Sequence, residues 1–242
     1  MRRGEYGIDA PYGPVIFAVA AVASAVVATL ERRGGETRSA LQMAIFSAFF
    51  AANAASFLYT TRRGKFLEWE RILDRLQLCG DERVLDMGCG RGAVLIAVAR
   101  RLTSGRVSGI DIWNVRDQSG NAKDVTERNA ALEGVAERVE IHTGDMRALP
   151  FPDGSFDLVV SSLAIHNIPK SAERRRAVAE AFRVLRPGGR LAVADIRATS
   201  SYADALRTLG AVQIERRRLG WRFWWGNPLA ATFLLCASKP PA

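Results

Sequence analysis

Histidine and cysteine are scarce in this chain of 242 residues: there are two histidines, His142 and His166, and three cysteines, Cys79, Cys89 and Cys236. They are scattered, without the close ligand spacing of a zinc site or the even-numbered framework of a disulfide-stapled domain. No metal is expected, and unpaired thiols suit a reducing cytosol. Lysine is nearly missing too, since 30 of the 34 basic residues are arginine. Against 25 acidic residues they leave a formal net charge of +9. That balance favours anionic partners, either lipid headgroups or nucleic acid. No zinc-finger, helix-turn-helix or RNA-recognition signature accompanies the charge, so nucleic acid is not expected.

Charge is also absent locally. Residues 15–30 and 39–61 carry none. As helices they would measure roughly 24 Å and 34 Å, against a hydrocarbon core of about 30 Å. A polar turn with Gly34 and Gly35 separates them. The pattern predicts an apolar helical hairpin in the membrane, forming a first unit over residues 1–63. A soluble buried helix pair and a hairpin dipping into one leaflet are the alternatives. Ala18, Ala21, Ala25, Ala48, Ala51 and Ala55 recur at helical spacing and permit close helix contact. Glu5 and Asp9 interrupt the basic start and a second apolar run follows, which argues against a secretory signal. Arginines flank both runs, so positive-inside counting does not orient the pair. The aromatic, turn-rich segment 5–14 is expected either to fold back over a ligand site or to anchor at a bilayer interface.

The densest signal is Val84-Leu85-Asp86-Met87-Gly88-Cys89-Gly90-Arg91-Gly92. A short apolar run ends in an acid, three glycines alternate, and a helical apolar pattern begins at Ala93. This reads as strand, tight turn and helix N-terminus, the arrangement that holds nucleotide-like cofactors. Gly88, Gly90 and Ala93 satisfy the dinucleotide pattern G-x-G-x-x-G/A, which brings NAD into consideration. Asp86 argues against it, because a carboxylate at the strand end would repel a pyrophosphate. S-adenosylmethionine (SAM) carries an ammonium and a sulfonium and no phosphate. Opposite charges about 4 Å apart attract by roughly 4 kcal/mol at an effective dielectric of about 20. A second acid, Asp111, closes the next expected strand (106–111) and suits two ribose hydroxyls of either ligand. Ile112 and Trp113 follow, placed to flank an adenine.

Asp86-x-Gly88-x-Gly90-x-Gly92 resembles the first motif of class I SAM-dependent methyltransferases. LPFPDGSFD at 149–157 and RVLRPGGRL at 183–191 resemble marks of the ubiquinone/menaquinone type within that superfamily, methyltransferase type 11. The resemblance covers about residues 65–240. It implies an α/β, Rossmann-like sheet of seven strands in the order 3-2-1-4-5-7-6, forming a second unit over 64–242. It further implies SAM as cofactor and S-adenosylhomocysteine (SAH) as product. The cofactor-binding candidates are Asp86, Met87, Gly88, Gly90, Gly92, Asp111, Ile112, Asp145, Met146 and Ser161. Asp145 matches the position that meets the adenine amino group in the family. The hairpin and the polar stretch 117–121 depart from the soluble quinone enzymes. The (D/N/S)PPY motif of enzymes that methylate nucleic-acid amines is absent.

Methyl transfer to a protic acceptor needs alignment and a base. His142 ends the third expected strand and reads as structural or solvent-facing. His166 follows the fourth, where acceptors meet the cofactor in the superfamily, and histidine titrates near neutral pH. His166 as base and Asn167 as orienting group are the catalytic candidates; a helix-start histidine bonded to backbone is the alternative for His166. The stretch 117–121 either lines the acceptor site or caps the next helix. Residues 221–228 carry four aromatics beside Arg216, Arg217, Arg218 and Arg222, and are expected over the site, at a bilayer interface, or packed only on the domain's own helices. The combined expectation is a membrane-anchored methyltransferase with its catalytic part on the cytoplasmic side, where SAM is made. Its acceptor would be a small membrane-partitioning thiol, phenol or similar compound. Alternatives are a lipid or isoprenoid-quinone methyltransferase, a non-catalytic SAM-binding membrane module, and an NAD oxidoreductase.

Overall fold

The computed structural model describes residues 2–242. Two apolar helices come first, α1 (Tyr12–Arg33) and α2 (Thr37–Tyr59). Ala21 and Ala40 are buried on the pair, and Ser47 Oγ donates to the Ala21 carbonyl at 2.9 Å. Small residues let the two backbones close on each other. Only 11% of each apolar window is buried, so the hairpin projects from the protein and is not the soluble core pair that its alanine content would also fit.

α2 continues past the end of its apolar run. A π-helical turn (Thr60–Gly64) joins it to α3 (Lys65–Leu76), giving 40 residues of unbroken helix. The expected boundary near residue 63 falls inside this rod. A Cβ on Gly64 would lie 1.8 Å from the Arg222 carbonyl oxygen, so only glycine lets the turn pack against the 221–223 segment.

Strands and helices then alternate: β1 (Arg83–Met87), α4 (Ala93–Ala99), β2 (Arg106–Asp111), α5 (Lys123–Leu132), β3 (Val139–Thr143), β4 (Phe156–Ser162), α6 (Ser171–Val184), β5 (Leu185–Asp195), α7 (Thr199–Thr208), β6 (Val212–Arg218) and β7 (Phe233–Ser238). They form one sheet in the order β3-β2-β1-β4-β5-β7-β6, as expected. β1 to β5 pair in parallel, and β7 lies antiparallel to both β5 and β6. Parallel strands covered on both faces need apolar residues on both, and alternate residues feed two cores. Val84, Leu158 and Val160 pack with Trp69, Ile72 and Leu95. Leu85, Met87 and Val159 pack with Ala177, Val178 and Tyr202 on the other face. β5 is longer than expected. It starts directly after α6 and takes in 186–189, where the pairing with β4 shifts register. Arg216, Arg217 and Arg218 lie on β6, an edge strand that charge discourages from further pairing.

Candidate active site

A cavity of about 510 Å³ opens at the carboxyl ends of β1, β2 and β4. This is the point where strand order reverses from β1 to β4, the usual ligand crevice of such sheets. Its lining is part polar, with Asp86, Asp111, Gln118, Asn121 and Asp145, and part aromatic, with Phe57, Phe66, Trp69 and Trp225.

Asp86 sits at the carboxyl end of β1 with both carboxylate oxygens buried and without a hydrogen-bond partner. Burial pushes its carboxyl up to about 8, with nearby Asp111 adding and the Leu95 amide opposing without completing a hydrogen bond. A buried polar group left unpaired costs about 1–3 kcal/mol, and more when charged. An α-ammonium at this spot supplies the missing partner, so the site fits SAM on an atom of its own. Gly88 adds room: with φ 74, a Cβ there would come 2.2 Å from Ala164 Cβ. Asp111 is fixed by its neighbours. Its Oδ2 accepts from the Gly90 amide at 2.9 Å, and its Oδ1 from the Trp113 amide at 2.7 Å and Asn121 Nδ2 at 3.2 Å. Asp145 and Met146 line the cavity, and Asp145 is gripped by the Arg147 guanidinium, which holds its carboxyl below the usual range.

A short turn (Ile165–Asn167) brings His166 and Asn167 to the cavity wall. His166 Nδ1 lies 2.6 Å from Asp195 Oδ1. The ring N–H is not aligned for a full hydrogen bond in this rotamer. A carboxylate so close still favours a proton on Nδ1 and leaves Nε2 as the ring's acceptor. Asp195, fully buried at the end of β5, also accepts from the backbone N–H groups of His166 at 3.0 Å and Ile196 at 2.8 Å, and from the Tyr202 hydroxyl at 3.3 Å. Burial beside Asp195 keeps the Tyr202 phenol protonated well above its usual range.

The N-terminal segment folds back over the polar lining. Ala10 N–H donates to the Asp117 carbonyl, and Gln118 Nε2 donates to the Tyr6 carbonyl and to Asp9 Oδ1. Gln118 Oε1 accepts from the Arg91 amide at 2.8 Å. The stretch 117–121 thus holds this strap in place; it caps nothing, because Ala122 precedes α5 without a side-chain cap. Asp9 Oδ2 meets Lys65 Nζ at 2.6 Å and Thr61 Oγ1 at 2.8 Å, tying strap to rod beside the cavity. The 221–228 segment does the same for the hairpin base. Phe57 and Trp225 meet edge to face at 5.0 Å, Tyr59 stacks on Trp221 at 5.1 Å, and Asn227 bonds Asn53 at 2.8 Å. Trp225 reaches the cavity wall.

Of the expected ligand residues, Asp86, Gly88, Gly90, Asp111, Ile112, Asp145 and Met146 line the cavity, and Met87, Gly92 and Ser161 do not. Met87 points into the opposite core. Ser161 is buried and donates to the Met87 carbonyl at 2.7 Å, while its neighbour Ser162 faces the cavity and accepts from Trp69 Nε1 at 2.8 Å. Gly92 starts α4 with φ 84. Trp113, expected at the adenine, turns away with φ 61 and bonds Thr143 Oγ1 at 2.7 Å. His142 packs edge to face on Phe151. Asp195, Lys65, Asp9 and Phe57 were not anticipated. Only Asp195 had a signal, since residues 191–195 repeat the apolar run ending in an acid seen at Asp86 and Asp111.

Residues 85–193 match the family described as "Methyltransferase domain". Methyltransferase GfsG of Streptomyces halstedii is 36% identical over 127 residues, 52% of this chain and 42% of the relative. Demethylmenaquinone methyltransferase of Lactiplantibacillus plantarum is 33% identical over 130 residues, 53% of this chain and 51% of the relative. The chain thus spans about half the length of these relatives or less. Among solved structures, the [4+2]-cyclase SpnF superposes with a TM-score of 0.58 at 22% identity, covering 72% of this chain and 82% of that one. At that identity the likeness is one of fold, and SpnF is described as a cyclase, so shape alone does not assign methyl transfer.

Proposed function

We propose that the chain, whose residues 85–193 match a methyltransferase domain, is a membrane-anchored SAM-dependent methyltransferase that methylates a small, membrane-partitioning thiol, phenol or similar acceptor. The observation that carries this reading is the joining of an exposed apolar hairpin to the aromatic lining of the cavity through Phe57 and Trp225. When bound, SAM supplies an electrophilic methyl group on its sulfonium. Asp86 would hold the cofactor ammonium, Asp111 the ribose hydroxyls and Asp145 the adenine. Phe66 and Trp69 exclude water around the acceptor. His166 Nε2 is placed to take the acceptor's proton, Asn167 orients the acceptor, and Asp195 is the positioning residue that steadies the His166 ring. In this reading the hairpin contacts membrane lipid and the catalytic part faces the cytoplasm.

The test is SAH release from the full chain with SAM and a panel of lipophilic thiols and phenols. Turnover of one class with SAM bound supports the reading; silence across the panel with SAM bound removes it. The relative named demethylmenaquinone methyltransferase favours a second reading, an isoprenoid quinone or other lipid as acceptor. A lipid extract incubated with labelled SAM distinguishes the two by which fraction takes the label.

A further inference from the structure

Tyr12, the first residue of α1, lines the cavity and is also exposed. Val15, Ile16, Val19, Val22 and Val26 follow it at spacings of three, one, three, three and four, and each is more than half exposed. At 100° per residue these six share one face of the helix. The result is an apolar stripe about 21 Å long that starts at the cavity rim and runs outward. Phe57, Trp225 and His166 line the same cavity. α2 exposes Leu41, Ile45, Phe46 and Phe49 to a similar degree, but it reaches the cavity through Phe57, which is buried, whereas Tyr12 on α1 both lines the cavity and stays exposed. Lipid contact alone needs no such difference between the two helices.

We infer that the α1 stripe is the bed for the apolar tail of the acceptor, so that the substrate is an amphiphile whose head sits at His166 while its chain lies along α1 in the leaflet. This rests on the methyltransferase reading above and narrows its substrate to molecules with a chain. Continuity decides the occupant. A lipid that merely surrounds the hairpin meets both helices alike, whereas a chain whose head is in the cavity leaves past Tyr12 onto α1.

The test uses the full chain in phosphatidylcholine–phosphatidylglycerol vesicles with SAH added. The probe is 4-dodecylphenol carrying a diazirine in its chain, photolysed and mapped by mass spectrometry. Label concentrated on Tyr12 and the α1 stripe, and competed by unlabelled 4-dodecylphenol but not by 4-ethylphenol, is the expected result. Even labelling of α1 and α2, or none at Tyr12, overturns the inference. The double variant Ile16→Ser, Val19→Ser is expected to keep SAH affinity and to bind the long-chain phenol about tenfold more weakly. Equal binding of the phenol by variant and wild type would also overturn it. Failure of the wild type to bind SAH removes the methyltransferase reading and this inference together, whereas SAH binding with even labelling removes the inference alone.

Discussion

Asp86 and Asp195 are both carboxylates sealed at the carboxyl end of a parallel strand, on opposite sides of β4, yet their surroundings differ completely. Asp195 is engaged by two backbone amides, a tyrosine hydroxyl and a histidine ring. Asp86 has no hydrogen-bond partner among the described residues. A buried charge is tolerated when the protein satisfies it, so Asp195 belongs to the framework and acts through His166. A buried acid left unsatisfied stays protonated until something cationic arrives, so Asp86 belongs to whatever the cavity binds. Sequence makes the two look alike; only their partners separate a positioning group from a ligand-binding one.

Substitutions at these sites break or sharpen that contrast. Asp195→Asn should cost most, lowering kcat by roughly 10²- to 10⁴-fold on any acceptor that is turned over. SAH affinity should hold, and Asp195→Glu should recover part of the lost kcat. A kcat unchanged in Asp195→Asn would deny Asp195 its positioning role. Asp86→Asn should act on binding instead, weakening SAH about 10- to 100-fold. At pH 7 the wild type should release a proton as SAH binds, read by calorimetry in buffers of different ionisation enthalpy, and the variant should not. Without ligand the sign reverses. Asp86 titrates at about 8 when folded against 3.8 for the free group, so the folded chain holds the proton more tightly. Its contribution to stability is present below the unfolded value and is lost as pH climbs toward 8. Thermal unfolding of Asp86→Asn should lack that slope; matching slopes would mean that Asp86 is hydrated or paired in solution. Asp145→Asn should cost least. Its carboxylate is partly exposed and already held by Arg147, so a change of less than about fivefold in SAH affinity is expected. A large loss would place Asp145 with Asp86.

Strand positions were legible because buried parallel strands must be apolar runs, their order followed from the family resemblance, and the glycine turn announced itself by type and spacing. Two of the expected residues that do not line the cavity, Ser161 and Met87, share one physical cause. Along a strand, neighbouring side chains face opposite ways, so Ser161 and Ser162 look equivalent in sequence while only Ser162 reaches the cavity. Met87 beside Asp86 is the same error of parity. Other contacts lay too far apart to read. Asp9 meets Lys65 across 56 positions and Gln118 across 109, and Asn53 meets Asn227 across 174. No local pattern encodes such pairs, which form only after the strap and the 221–228 segment have been laid against the rod. The cofactor residues were therefore visible early, while the aromatic lining, assembled from the rod and the distant 221–228 segment, was not.

The rod from Thr37 to Leu76 makes the molecule steerable from one end. Its helix runs on through the π-helical turn, and the residues around that turn are held by Trp224, Trp221 and Asn227. Whatever grips the hairpin therefore sets the height and heading of the reaction chamber as well, much as the angle of a mast fixes the deck beneath it. A flexible tether would let the catalytic half wander and sample acceptors from every side; this connection leaves it a single approach.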